Sequence, residues 1–220
     1  MVQIIDIFLH LDVHLNNLVN MWGGWSYAAL FAVIFIETGA VVLPFLPGDS
    51  LLFAAGSIAA LSGNSLNHWV LMLLFWLAAT SGDSLNFWLG RTVGLKLVHH
   101  PILGRFIKEK HLQEANEFFI KHGKMAIILG RFLPIIRTLV PFTAAVSGFR
   151  YRSFIGLEMI AVTLWVVIAV EAGYYFGGNQ FVSEHFSLVL IGILLVSALP
   201  AIISAARQMI VSKKQKQINK

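Results

Sequence analysis

From Ser187 to Ala206 the chain runs twenty residues without one ionisable side chain. That length matches the ~20 apolar residues a helix needs to cross the hydrocarbon core of a bilayer. Phe154 to Phe176 is as long and is interrupted only by Glu158 and Glu171. A third stretch, Trp69 to Leu89, is apolar through Thr80 and then turns polar at Ser81, Gly82, Asp83, Ser84 and Asn86; it reads as a spanning helix with a functional or water-lined inner end. Composition agrees. The 220 residues are 57% hydrophobic and 12% charged, against roughly 25% charged in soluble domains. With no cysteine, disulfide frameworks, thiolate metal sites and thiol nucleophiles are excluded together.

Two further apolar stretches are broken in the middle. Tyr27 to Leu61 is interrupted at Pro44, Pro47 and Gly48, and Met125 to Gly148 at Pro134 and Pro141. Proline removes a backbone donor and clashes with the preceding turn. Non-helical backbone at membrane depth persists only where protein or a water-filled cavity surrounds it, so both stretches are expected to be re-entrant helical hairpins meeting at a central site. Two kinked spans are the plainer alternative. The expected fold is an all-α integral membrane protein in one domain: an interfacial helix over 1–25, a hairpin over 27–61, a span over 67–90, a basic loop over 91–124, a second hairpin over 125–148, spans over 153–177 and 186–207, and a basic tail over 208–220. Broken segments in corresponding positions of two halves point to an inverted repeat with its binding site near the midplane. That expectation rests on hydropathy pattern, since the residue-level similarity of the halves is faint.

All 16 Lys and Arg lie between Arg91 and Lys220, while the first 90 residues carry five acids and no base. This distribution orients a chain in a bilayer and argues against nucleic acid as the partner of its +5 charge. Seven bases fall between Arg91 and Lys124, two are Arg150 and Arg152, and five lie from Arg207 onward, so these regions and the C-terminus are expected in the cytoplasm. The first 25 residues lack the positive n-region of a signal peptide. Ile4, Ile5, Phe8, Leu9, Leu15, Leu18 and Val19 suggest an amphipathic helix in the interface, and Arg105 to Lys121 a second one on the cytoplasmic surface.

The chemistry is concentrated at the breaks. Glu37 lies inside the run Phe31 to Leu43, and Asp49 follows Pro47-Gly48. An ionisable residue inside the membrane is costly and is a functional-site hypothesis by default. On a straight helix the two would sit ~18 Å apart along the axis, a separation a turn at Pro44 to Gly48 removes. Arg131 and Arg137 would lie ~9 Å apart and face different directions on an unbroken helix; a break at Pro134 lets both reach one cavity. Two guanidiniums in an apolar setting suit phosphate or carboxylate. Plainer readings stand beside these: Asp49 as a helix N-cap, and the two arginines as snorkelling interfacial anchors.

These runs resemble the DedA family of bacterial inner-membrane proteins. Glu37-Thr38-Gly39 with Pro44-Phe45-Leu46-Pro47-Gly48-Asp49-Ser50-Leu51-Leu52 is similar to its first signature, Gly82-Asp83 with Gly90-Arg91-Thr92-Val93-Gly94 to its middle one, and Gly130-Arg131-Phe132-Leu133-Pro134-Ile135-Ile136-Arg137-Thr138, continuing to Pro141 and Gly148, to its third. Phe87 stands where a tyrosine is common, and Ala145 where glycine is usual. The resemblance implies a VTT-type membrane fold and a role in proton-dependent transport tied to envelope integrity. Family members are implicated in returning undecaprenyl phosphate across the inner membrane, and eukaryotic relatives scramble phospholipids. The family's essential acids and arginines map onto Glu37, Asp49, Arg131 and Arg137.

The expected activity is therefore that of a flippase for a lipid phosphate, driven by the proton motive force, in the bacterial inner membrane. Arg131 and Arg137 would bind the phosphate, and Glu37 and Asp49, paired with them when the site is empty, would couple protons: a carboxylate deprived of its partner in low dielectric takes up a proton. Gly39, Gly48 and Gly148 would permit close hairpin packing. Secondary candidates are Asp83, on a face expected to line the inner vestibule, Arg91, at a cytoplasmic anchor position, and Glu171, either a second protonation site or an interfacial residue. The expected partners are the lipid phosphate, protons and the bilayer, with no nucleic acid, no cofactor and no metal; homo-oligomerisation is left open. His99, His100 and His111 lie in the basic loop, and no metal site is expected there. An intramembrane hydrolase would need a nucleophile and base, and G-x-S-x-G and H-E-x-x-H are absent. A transporter of a small ion or solute, a phospholipid scramblase, and an assembly protein whose charges only dock hairpins are the remaining rivals.

Overall fold

The structure is a computed structural model that describes residues 17, 19, 21–39, 48–61, 66–92, 113, 116, 117, 119, 120, 122–177, 179, 188, 189 and 192. Pro44, Pro47, most of the interfacial segment 1–25 and of the loop 91–124, the span 186–207 apart from three residues, and the tail 208–220 lie outside the described residues. Among the described residues, six α-helices have defined bounds: α1 (Trp25–Gly39), α2 (Gly48–Ala60), α3 (His68–Thr92), α4 (Met125–Arg131), α5 (Pro134–Val146) and α6 (Tyr151–Gly177). There is no strand among the described residues.

Two of these, α3 and α6, are long and apolar enough to cross a membrane; α1, α2 and α5 are apolar but shorter. The outward faces of the long helices carry large apolar side chains, with Leu73 and Leu77 on α3 and Ile160, Leu164, Val167 and Ile168 on α6 all exposed. Such a surface is unfavourable in water over so large an area. Exposed aromatics mark the helix ends: Trp69 and Trp88 on α3, Tyr151 and Tyr175 on α6. At 1.5 Å per residue the two tryptophans are about 28 Å apart, close to the ~30 Å thickness of a bilayer core, which is the spacing of aromatic belts.

Local chemistry sets the helix boundaries. The Asn67 side chain accepts hydrogen bonds from the Trp69 and Val70 amides at 2.9 and 3.3 Å, capping α3. α5 ends in a Schellman turn: the Gly148 amide donates to Ala145 and the Phe149 amide to Ala144, with Gly148 at a φ of 77°. A Cβ on Gly148 would meet nothing within 4 Å, so this glycine serves the turn and not hairpin packing. Pro134 opens α5, where its missing amide costs nothing, and the chain breaks at Phe132 and Leu133 just before it. Pro141, expected to break the helix, does not. It lies inside a continuous α5, so it deletes one intrahelical hydrogen bond without interrupting the helix.

α2 packs most extensively on α6, and α1 on α3; α3 also contacts α5 and α6, and the short α4 rests on α5 and α6. The arms of the first broken stretch barely touch each other, each lying instead along a long helix. Small residues make the α2–α6 contact close. A Cβ on Gly56 would strike the Val170 carbonyl, one on Gly173 the Phe53 carbonyl, and one on Gly177 the Ser57 backbone. Ser57 also donates a hydrogen bond to the Gly173 carbonyl at 3.0 Å. The interior holds two apolar clusters, one containing Ala79 and Val162, the other Phe87 and Phe154. Asp83 stands four residues from both Ala79 and Phe87, and Glu158 four from both Phe154 and Val162, so a layer of charge separates the clusters.

Candidate functional site

Two of the four residues at the breaks converge on a third. Glu37, near the end of α1, is fully buried, and Asp49, in the first turn of α2, is partly buried. Both reach Arg137 of α5: its Nη2 donates to Glu37 Oε1, and its Nη1 to Asp49 Oδ1 at 2.9 Å. The separation of Glu37 and Asp49 along a straight helix is thus abolished, and Asp49 lies inside the first turn of α2, which begins at Gly48, instead of capping it. Gly48 makes room for this arrangement, since a Cβ there would collide with the Glu37 carboxylate.

Arg131 follows a different course from the expected pairing with Glu37 and Asp49. At the end of α4 it is 4% exposed, and its Nη1 donates both to Asp83 Oδ2 on α3 and to Glu158 Oε1 on α6, the latter at 3.0 Å. The reason is the break at Phe132–Leu133, which leaves the two arginines on separate helices. Asp83, at 1% exposed, therefore faces the interior and not a vestibule. Arg91 is exposed and donates to the Phe149 carbonyl at 3.3 Å. Glu171 lies 3.7 Å from His68 Nε2 with a quarter of its side chain exposed, remote from the arginines in sequence and at the opposite end of α6 from Glu158.

Trp165 of α6 joins the halves. The Arg131 guanidinium sits 4.5 Å from its ring centroid and that of Arg137 at 5.5 Å, within range of cation–π attraction. Its indole N–H donates to Asp49 Oδ1 at 2.6 Å. Asn86 ties the surrounding backbone, donating to the carbonyls of Thr38 at 3.3 Å and Thr138 at 2.7 Å. Trp165→Phe keeps the ring and removes the donor. It is expected to lower stability by about 1.5–3 kcal/mol, the range for a hydrogen bond to a charged group, read as a shift in melting temperature in detergent.

The charge balance differs from the expected neutral set of two acids and two bases. Four carboxyls face two guanidiniums, an excess of two negative charges if all are ionised. In a dry interior such an excess is met by bound protons or cations. Hydrogen bonding is also incomplete: Arg131 Nε and Nη2, Glu37 Oε2 and Asn86 Oδ1 are buried without partners among the described residues. The site thus offers free guanidinium donors to an oxyanion and several carboxyls to protons. Along α3, Asp83 lies about 7 Å from Trp88 and about 21 Å from Trp69 in axial rise, so the layer is displaced from the midplane toward the end bearing Arg91.

Sequence reasoning singled out Glu37, Asp49, Arg131 and Arg137 and ranked Asp83 second. It noted Glu158 without assigning it a role, although an acid in the middle of an apolar run is the signal that would have found it. Trp165 carried no such signal among the many aromatic residues of the spans.

The VTT domain pattern matches residues 46–175 of the chain. The chain is 44% identical over 204 residues to the protein DedA of Escherichia coli K12, covering 93% of each. It is 38% identical over 188 residues to a membrane protein of Mycobacterium tuberculosis, covering 86% of this chain and 82% of that one. To the inner membrane protein YqjA of Escherichia coli K12 it is 30% identical over 197 residues, with 90% and 88% covered. No solved structure matches the chain significantly.

Proposed function

This chain belongs to the DedA family of VTT-domain membrane proteins, and from that premise we propose that it translocates a lipid phosphate, such as undecaprenyl phosphate, across the bacterial inner membrane in a step coupled to protons. The observation that carries the reading is the buried layer of four carboxyls and two arginines in which Arg131 Nε and Nη2 find no acceptor among the described residues. Those donors suit two oxygens of a phosphate. As the phosphate approaches, it competes with the carboxylates for the guanidiniums. A carboxylate losing its counter-charge in low dielectric takes up a proton, so arrival of the anion brings protons with it. Release on the far side reverses both steps. Two re-entrant arms related by an inverted repeat, basic segments and C-terminus in the cytoplasm, and an apolar tail left in lipid complete the proposal. It treats the chain as a carrier and not a hydrolase.

The test uses purified protein in liposomes, following movement of fluorescent undecaprenyl phosphate between leaflets with and without a pH gradient. Movement is expected to require the protein, to respond to the gradient, and to fall at least tenfold in Glu37→Gln and in Arg137→Lys, where charge is kept but the planar fork is lost. If folded protein moves no lipid but drives uptake of a small ion under the same gradient, the lipid reading is wrong and the small-solute one replaces it.

A further inference from the structure

Beyond the buried layer the molecule has a second basic feature. Where the last turns of α3 meet the start of α6, a cavity of about 770 Å³ opens. Its walls are apolar, formed by Leu85, Phe87, Trp88 and the ring of Tyr151, while Arg91, Arg150 and Arg152 stand around it. Phe87 is fixed in that wall by stacking on Phe154 at 4.7 Å, and the Tyr151 hydroxyl by a 3.0 Å hydrogen bond to Ser84. The volume falls within the ~300–1,000 Å³ of small-molecule sites.

The charge of the cavity has no acidic counterpart among the described residues. Among the described residues none of the three arginines makes an ion pair with a carboxylate, and Arg91 donates only to a carbonyl. Asp83, the acid on the same stretch of α3, is turned inward onto Arg131. Arg150 and Arg152 flank the first residue of the 27-residue α6, whose N-terminal dipole adds to the attraction for an anion. An apolar wall under a triply cationic rim fits a ligand with an oxyanion head and a greasy body. The exposed Trp88 and Tyr151 belong to the set of aromatics that mark the edge of the bilayer, where such molecules present their heads.

We propose that this cavity is a binding site for the phosphate head group of an anionic membrane lipid, distinct from the Arg131–Arg137 layer and independent of whether that layer transports anything. Guanidinium forks seat the phosphate oxygens, and the aromatic wall receives the glycerol and the first methylenes. A phosphomonoester, carrying more charge than a diester, is held more tightly.

Native mass spectrometry of the full chain in detergent, titrated with phosphatidic acid, phosphatidylglycerol or phosphatidylcholine, tests this. Phosphatidic acid is expected to bind saturably and at least about tenfold more tightly than phosphatidylcholine, the scale of one charge-assisted hydrogen bond. Arg150→Gln combined with Arg152→Gln removes that preference, and the corresponding double lysine variant keeps most of it. Leu85→Trp fills the cavity with its charge intact and also abolishes binding; this guards against misfolding of the arginine variant. Leu73→Ala, on the outward face of α3 and away from both sites, leaves it unchanged. Undiminished phosphatidic acid binding by folded Leu85→Trp overturns the site. Equal displacement by millimolar inorganic phosphate and by phosphatidic acid overturns the lipid as its ligand in favour of a free anion.

Discussion

Arg131→Ala is expected to be the most damaging single substitution in the buried layer, costing about 3–5 kcal/mol, the range for breaking a buried ion pair from one side. The variant leaves Asp83 and Glu158, both almost fully buried, without the guanidinium nitrogen that they share. Two carboxylates side by side in an apolar layer then have no cation to face. Adding Asp83→Asn and Glu158→Gln removes the charges themselves, and the triple variant should recover most of the loss, because a neutral set avoids the desolvation penalty. Thermal unfolding in detergent measures both. A triple variant as unstable as Arg131→Ala alone would show that the arginine acts through packing against Trp165 and not through charge. The stable triple variant also separates stability from activity: on the proposed mechanism it is folded and moves no lipid.

Gly173→Ala and Gly156→Ala, the same change on the same helix, are expected to have opposite signs. A Cβ at Gly173 would run into the Phe53 backbone carbonyl of α2, an atom that cannot swing aside as a side chain can. Overpacking of this kind costs about 1–3 kcal/mol and forces the helices apart. Since α2 carries Asp49 and α6 carries Trp165, 2.6 Å from it, the strain is delivered to the site, and activity falls with stability. Gly156 meets nothing within 4 Å, so alanine there gains about 0.5–1 kcal/mol from helix propensity alone. Gly56→Ala, facing the Val170 carbonyl, should behave like Gly173→Ala. Melting temperatures of the three variants decide the matter; equal shifts at positions 156 and 173 would mean that the seam is not as tight as its geometry.

The membrane class, the spans now seen as α3 and α6, and the convergence of Glu37 and Asp49 across the first break were all legible in the sequence, because each follows from a rule that acts locally. Apolar length sets the spans, proline and glycine set the breaks, and an acid inside an apolar run announces itself. The partnership of Arg131 was not legible. It depends on which faces of α3 and α6 meet α4, and packing between helices leaves no periodic trace in any one of them. Glu158 was visible as a buried acid, yet its relation to Asp83 exists only once two helices distant in sequence lie side by side. Pro141 misled for a related reason: a proline implies a break only when the rest of the helix cannot absorb one missing hydrogen bond, and in α5 it can. Gly148 looked like a packing residue and is a turn residue, a distinction made by backbone angle alone.

Asn86 bears on how the site moves. Its amide holds the carbonyls of Thr38 and Thr138, the residues directly after Glu37 and Arg137. The backbones on either side of the Glu37–Arg137 ion pair are therefore pinned through α3, whether or not the ion pair itself is closed. On the proposed mechanism, Arg137 can then exchange one partner for another by rotation about its side-chain bonds while these backbones keep their places. The step at this arginine is, on that mechanism, a change of rotamer inside a fixed frame.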